Sequence, residues 1–118
     1  MSATGQPPIY KIFRAAEWAA FAAAGVTDGA PVDLADGFIH FSTAAQARET
    51  AARHFAGEDG LLLAAIDPDA LGAALRWEPS RGGALFPHLY ARLPIAAVLW
   101  HAPLPLGPDG QHVFPELG

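Results

Sequence analysis

The segment Gly37-Phe38-Ile39-His40-Phe41-Ser42-Thr43 sets one imidazole and two hydroxyls in close succession, framed by apolar side chains. At the period of two of a strand, His40 and Ser42 project from one side and Phe41 from the other. A helix that begins just after Ser42 adds unpaired backbone N–H groups and a partial positive charge. With Thr43, that end suits a ligand oxygen or a phosphate. The same residues also describe a capped helix beside a hydrogen-bonded core histidine, and helix caps are common.

A second constellation lies downstream. In Phe86-Pro87-His88-Leu89-Tyr90 the imidazole of His88 and the phenol of Tyr90 share a strand face. The run Arg76-Trp77-Glu78-Pro79-Ser80-Arg81-Gly82-Gly83 places an acid between an aromatic and a Gly-Gly loop able to close over a ligand. A carboxylate is what holds a ribose hydroxyl or stabilises oxocarbenium-like charge, and Glu78 is the candidate for it. The plainer readings are an exposed strand-end charge for Glu78 and a half-exposed sheet surface for His88 and Tyr90. His54, near the end of a helix, is either a further wall of the site or a histidine favoured by the helix dipole. His40, His54 and His88 together form a weaker alternative, a three-histidine metal site. No H-E-x-x-H spacing supports it, and no bound metal is expected. A G-x-S-x-G elbow, a P-loop and a dinucleotide G-x-G-x-x-G are all absent. His101 and His112, in a Pro-rich stretch, read as surface residues.

The elements that must position these groups follow from periodicity and punctuation. Ile9 to Phe13 reads as a strand, and Ala15 to Ala24 as a helix with Trp18, Phe21 and Ala22 on one face, stopped by Gly25. Thr27 to Asp36 is dense in Gly, Pro and Asp and reads as a loop. A second helix is expected from about Ala44 to Ala56, with a Thr43–Gln46 capping box and an apolar stripe of Ala44, Ala47, Ala51 and Phe55. Leu61 to Ile66 is a continuous apolar run, the mark of a strand covered on both faces. A helical turn over Asp69 to Ala74 and strands over Leu75–Glu78, Leu85–Tyr90 (Pro87 near an edge) and Ile95–Trp100 complete the pattern. Helices early and strands late give an α+β fold in a single domain spanning 1–118, with residues 1–8 and 103–118 as irregular tails.

Composition narrows the partners. The 118 residues suffice for one core, and 52% hydrophobic with 16% charged residues is a globular composition that argues against disorder. Zero cysteines rule out disulfides, thiolate metal sites and a cysteine nucleophile. A net charge of -5 with scattered arginines weighs against an obligatory nucleic-acid partner, while leaving room for a small phosphorylated ligand. With no signal-peptide pattern and no bilayer-length apolar run, a cytoplasmic protein without membrane attachment is expected.

Taken together, Ile9-Tyr10-Lys11-Ile12, Trp18, the Gly37–Thr43 segment, His54-Phe55, Leu75-Arg76-Trp77-Glu78 and Phe86–Tyr90 resemble a small bacterial family of unknown function. The resemblance runs from Ile9 to about Pro103. Members are sometimes labelled glutathione S-transferase-like, a label this chain lacks the length and two-domain pattern to carry. The resemblance implies an ADP-ribosyltransferase-like fold, in which two small, mostly antiparallel sheets with two helices packed on them form a cleft for NAD. The His-hydrophobic-Ser strand is also similar to that of NAD-using RNA 2′-phosphotransferases, without their arginine-rich set. By these likenesses the ligand is NAD or a related nucleotide. His40, Glu78 and His88 would then be catalytic, and Ser42, Thr43, His54, Trp77 and Tyr90 would bind ligand, with Trp77 or Tyr90 stacking on a ring. Two functions follow, an ADP-ribosyl- or glycosyl-transfer enzyme and a non-catalytic ligand-binding or interaction module on the same fold.

Overall fold

A computed structural model describes residues 6–117. The parts of the expected tails at residues 1–5 and 118 lie outside the described residues. Strand β1 (Ile9–Arg14) leads directly into helix α1 (Ala15–Ala24), β2 (Val26–Thr27), α2 (Pro31–Asp36), β3 (Ile39–His40) and α3 (Ala44–His54). Then come β4 (Leu61–Ile66), β5 (Leu75–Pro79), β6 (Leu85–Leu89), β7 (Leu93–Pro94) and β8 (Val98–Leu104). The strands form three antiparallel sheets, ordered β1-β4-β8, β2-β7 and β3-β6-β5. The architecture is thus mixed α and β, with three sheets where two were expected and a third helix among the described residues.

β4 is the central strand of the first sheet, with Leu63, Ala64, Ala65 and Ile66 fully buried. Its uninterrupted apolar run follows from cover on both faces. On one side Ile9, Phe13, Ala64 and Ile66 pack with Phe21, Ile39 and Leu89; on the other Tyr10, Ile12, Leu63 and Ala65 meet Ala47 and Ala51 of α3. The alanine stripe of α3 therefore does what its spacing foretold. In α1, Phe21 is buried and Trp18 packs on the core, but Ala22 is exposed.

Three expectations change. The Gly- and Pro-rich segment after Thr27 contains α2. Pro31 stands at its first turn, Asp33 accepts the Ala30 N–H at 2.7 Å, and Gly37 ends the helix at φ 86°. These are start and stop signals that six residues of mixed composition conceal. Pro87 sits in the middle strand of its sheet instead of near an edge. Its carbonyl accepts the Phe41 N–H at 3.1 Å, so its missing N–H would point the same way, where β3 has already ended. The last strand is Val98–Leu104, because Ile95–Ala97 coils into a 3₁₀ turn and shifts the strand onward. Consequently Pro103 and Leu104 belong to a strand, and Phe114 and Leu117 of the tail pack against the α3-side core. Among the described residues no helix is long and apolar enough to cross a membrane.

Candidate functional site

Beyond the Tyr10–Ser42 bridge, no strand lies beside the outer edge of β1 among the described residues. A cavity of 560 Å³ opens there, lined by β1, by α2, by the end of β3, by α3 and by His88 of β6. Two clusters of polar groups reach it, through Lys11, Asp33, Asp36 and His40 and through His88.

The first is centred on Asp33, whose side chain is fully buried. One carboxylate oxygen accepts Lys11 Nζ at 2.9 Å and the Ala30 N–H at 2.7 Å. The other accepts the His40 N–H at 3.1 Å and lies 2.6 Å from His40 Nδ1. Burial by itself would raise this carboxyl's pKa. The bond from His40, the Lys11 ammonium and the Ala30 N–H outweigh it and hold the group well below the usual carboxylate range. A Cβ on Gly29 would collide with the Asp33 side chain, so glycine is required there by close approach. His40 Nε2 lies 3.0 Å from Asp36 Oδ2. Both ring nitrogens thus face carboxylates, and both can donate at once only in the doubly protonated ring.

The second cluster stands on the β3-β6-β5 sheet. Register pairs His40 with His88, His88 with Arg76, and Phe86 with Glu78, so these even-numbered side chains share one face. Glu78 Oε1 lies 2.8 Å from His88 Nδ1 and accepts the Tyr90 O–H at 2.7 Å. The bonds from Tyr90 and His88 lower the Glu78 pKa, and the bond to Glu78 raises that of the Tyr90 phenol. A carboxylate opposite Nδ1 assigns the proton to that nitrogen and leaves Nε2 with its lone pair in the neutral ring. The His88 side chain is only 6% exposed, and its ring lines the cavity. Phe38 packs over this row, its ring centroid 4.6 Å from His40, 4.2 Å from His88 and 5.2 Å from Tyr90.

Of the residues singled out in the sequence, His40, Ser42, His54 and His88 line the cavity. Ser42 is engaged throughout, its backbone with Tyr10 and its hydroxyl 2.7 Å from Thr50 Oγ1. Thr43, Trp77, Glu78 and Tyr90 are not in the lining. Thr43 is occupied in the α3 cap, where its hydroxyl accepts the Gln46 N–H and Gln46 accepts its own N–H in return. Trp77 lies on the opposite sheet face from His88 and is 41% exposed, while Tyr90 is turned to Glu78 and lies under Arg76. Neither is placed to stack on a ligand in the cavity. The three-histidine metal arrangement does not form: among the described residues no group of three His, Cys, Asp or Glu could hold an ion.

Lys11, Asp33 and Asp36 were not singled out beforehand. The signal was present in Lys11, the only lysine in the sequence, set inside the apolar run Ile9–Phe13. A cation there must be paired once buried. Asp36, four residues before His40, was legible only once α2 existed to aim it.

This fold and these residues place the chain in a family. Residues 12–101 match the protein family of unknown function DUF952, and the chain belongs to it. Among solved structures it is similar to protein CC0527 from Caulobacter crescentus. The crystal structure is 51% identical with a TM-score of 0.86 over 90% of this chain and 93% of that one. The solution structure of the same protein is 52% identical, with a TM-score of 0.80 over 88% and 90% of the two chains. The chain has no match among curated proteins.

Proposed function

We propose that the cavity binds NAD or a related nucleotide on an ADP-ribosyltransferase-like frame, and that His88 is the base of a glycosyl-transfer reaction. The observation that carries this reading is the His88–Glu78 pair: a buried imidazole in the cavity lining with Nδ1 held at 2.8 Å by a carboxylate. A general base needs such an oriented ring with a free lone pair. The cavity volume of 560 Å³ falls in the range of small-ligand sites, roughly 300–1,000 Å³. Its walls come from two antiparallel sheets, as the proposed frame requires.

In this scheme an acceptor hydroxyl gives its proton to His88 Nε2 as its oxygen bonds to the anomeric carbon, while the bond from that carbon to nicotinamide breaks. Nicotinamide leaves neutral. Glu78 then acts through His88, orienting it and stabilising the imidazolium, and is a positioning residue. Calorimetry with NAD, ADP-ribose and nicotinamide on the wild type and on His88→Asn tests binding, and chromatographic assay of released nicotinamide tests turnover. Absence of binding by the folded wild type to all three ligands would refute the reading.

A second reading, a non-catalytic binding module, is favoured by the state of His40 and Ser42, whose polar groups are already bonded within the protein. Binding of NAD without nicotinamide release, with water or added hydroxyl acceptors present, selects it.

A further inference from the structure

Along β1 the backbone groups alternate between the neighbouring strand and the open edge. Tyr10 gives both of its groups outward, its N–H to the Ser42 carbonyl at 2.7 Å and its carbonyl to the Ser42 N–H at 2.8 Å. The Arg14 N–H also points outward, to Glu17 Oε1 at 2.9 Å. By the same period of two, the N–H and C=O of Ile12 face outward between them. Ile12 lines the cavity and is 7% exposed, and neither of its backbone groups has a hydrogen bond among the described residues. Such a buried, unpaired donor and acceptor are uncommon, since leaving each unmet is costly.

The fold explains the gap. The bridge at Tyr10 is antiparallel, so the residue that would face Ile12 is His40, which pairs instead with His88 of β6 and gives its N–H to Asp33; the third line of strand pairing therefore stops after one residue. The gap is also one residue long at its other end, where the Glu17 carboxylate takes the Arg14 N–H. An added peptide strand would need Tyr10 or Arg14 as well, and both are occupied. What fits is a small group with a donor and an acceptor side by side.

We infer that the Ile12 N–H and C=O form a recognition edge for a planar amide-like group, either a primary carboxamide or the amino edge of a heterocyclic base. The Ile12 N–H donates to the ligand's carbonyl or ring nitrogen, and the Ile12 C=O accepts from its amino group. The inference deepens the nucleotide reading by naming the part of the ligand that β1 holds. It stands apart from the chemistry assigned to His88.

The test is an NMR titration of isotope-labelled wild-type protein with nicotinamide, nicotinate, adenine and NAD. Expected is a downfield shift and slowed hydrogen exchange of the Ile12 amide with nicotinamide or with adenine, which separates the two sources, and not with nicotinate, which has no amino donor. Ile12→Pro removes an N–H that the pairing with β4 does not use, a place where an edge strand accepts proline, and with it part of a buried side chain. It should bind the same ligand about tenfold more weakly than Ile12→Val, the loss of one hydrogen bond. If Ile12→Pro does not fold, the wild-type amide shift decides alone. An Ile12 amide unmoved by a ligand that shifts other cavity residues overturns the inference and leaves NAD binding standing. A shift with nicotinamide or adenine and no binding of NAD upholds the inference and removes the NAD reading. No response to any of the probes overturns both.

Discussion

Replacing Asp33 by Asn tests how the cavity wall is held. All four groups around the carboxylate are donors: Lys11 Nζ, the Ala30 N–H, the His40 N–H and His40 Nδ1. The amide keeps the shape but turns one acceptor position into an NH₂ that must face two of those donors. In either orientation the Lys11 ammonium, whose side chain is 8% exposed, loses its counter-charge. Breaking a buried pair by removing one partner costs about 3–5 kcal/mol. Against a total of about 5–15 kcal/mol for a small domain, that is a large fraction. Urea unfolding followed by tryptophan fluorescence should show the midpoint fall with little change in slope. The double variant with Lys11→Met should recover part of the loss, giving a coupling of about 1–3 kcal/mol. The pH profile supplies the sign. The Asp33 pKa is lowered in the fold, so its contribution is whole above the unfolded value of about 4 and is lost as pH falls through the lower folded value. Asp33→Asn should lack that acid-side loss. A destabilisation below about 1 kcal/mol, or strictly additive single variants, would refute this account.

Other consequences can be checked separately. Glu78→Gln should lower the phenol titration midpoint of Tyr90 seen by ultraviolet absorbance, because the bond to the Glu78 carboxylate is what raises it. The same variant should loosen the His88 tautomer, read from the nitrogen shifts of its ring; an unchanged tautomer would remove Glu78 as the positioning residue. Thr43→Ala should cost about 1 kcal/mol in urea unfolding through loss of the α3 cap, without changing ligand affinity. Gly37→Ala should cost about 1–2 kcal/mol through its left-handed backbone alone, since a Cβ there meets nothing within 4 Å. No loss in denaturation would mean that the end of α2 rearranges.

The sequence by itself determined the elements whose signal is local. The apolar run Leu61–Ile66 and the alanine stripe of α3 mark their buried faces, and Thr43 with Gln46 marks a helix start. It also picked out His40 and His88, conspicuous as imidazoles on otherwise apolar strands, and His54 beside Phe55 of the α3 stripe. What it could not show depends on register between segments far apart in the chain. Which face of β5 meets His88 decides that Glu78 holds the imidazole while Trp77 points away. Where the strand line ends beside Tyr10 decides that Ile12 is left with an open edge. The partnership of Lys11 with Asp33 required α2, a helix too short to announce itself by periodicity. Charge neutralisation and strand pairing are satisfied across the fold, by residues that share no local pattern, and so only the tertiary structure decided which polar groups are spent on holding the protein together and which still face the cavity.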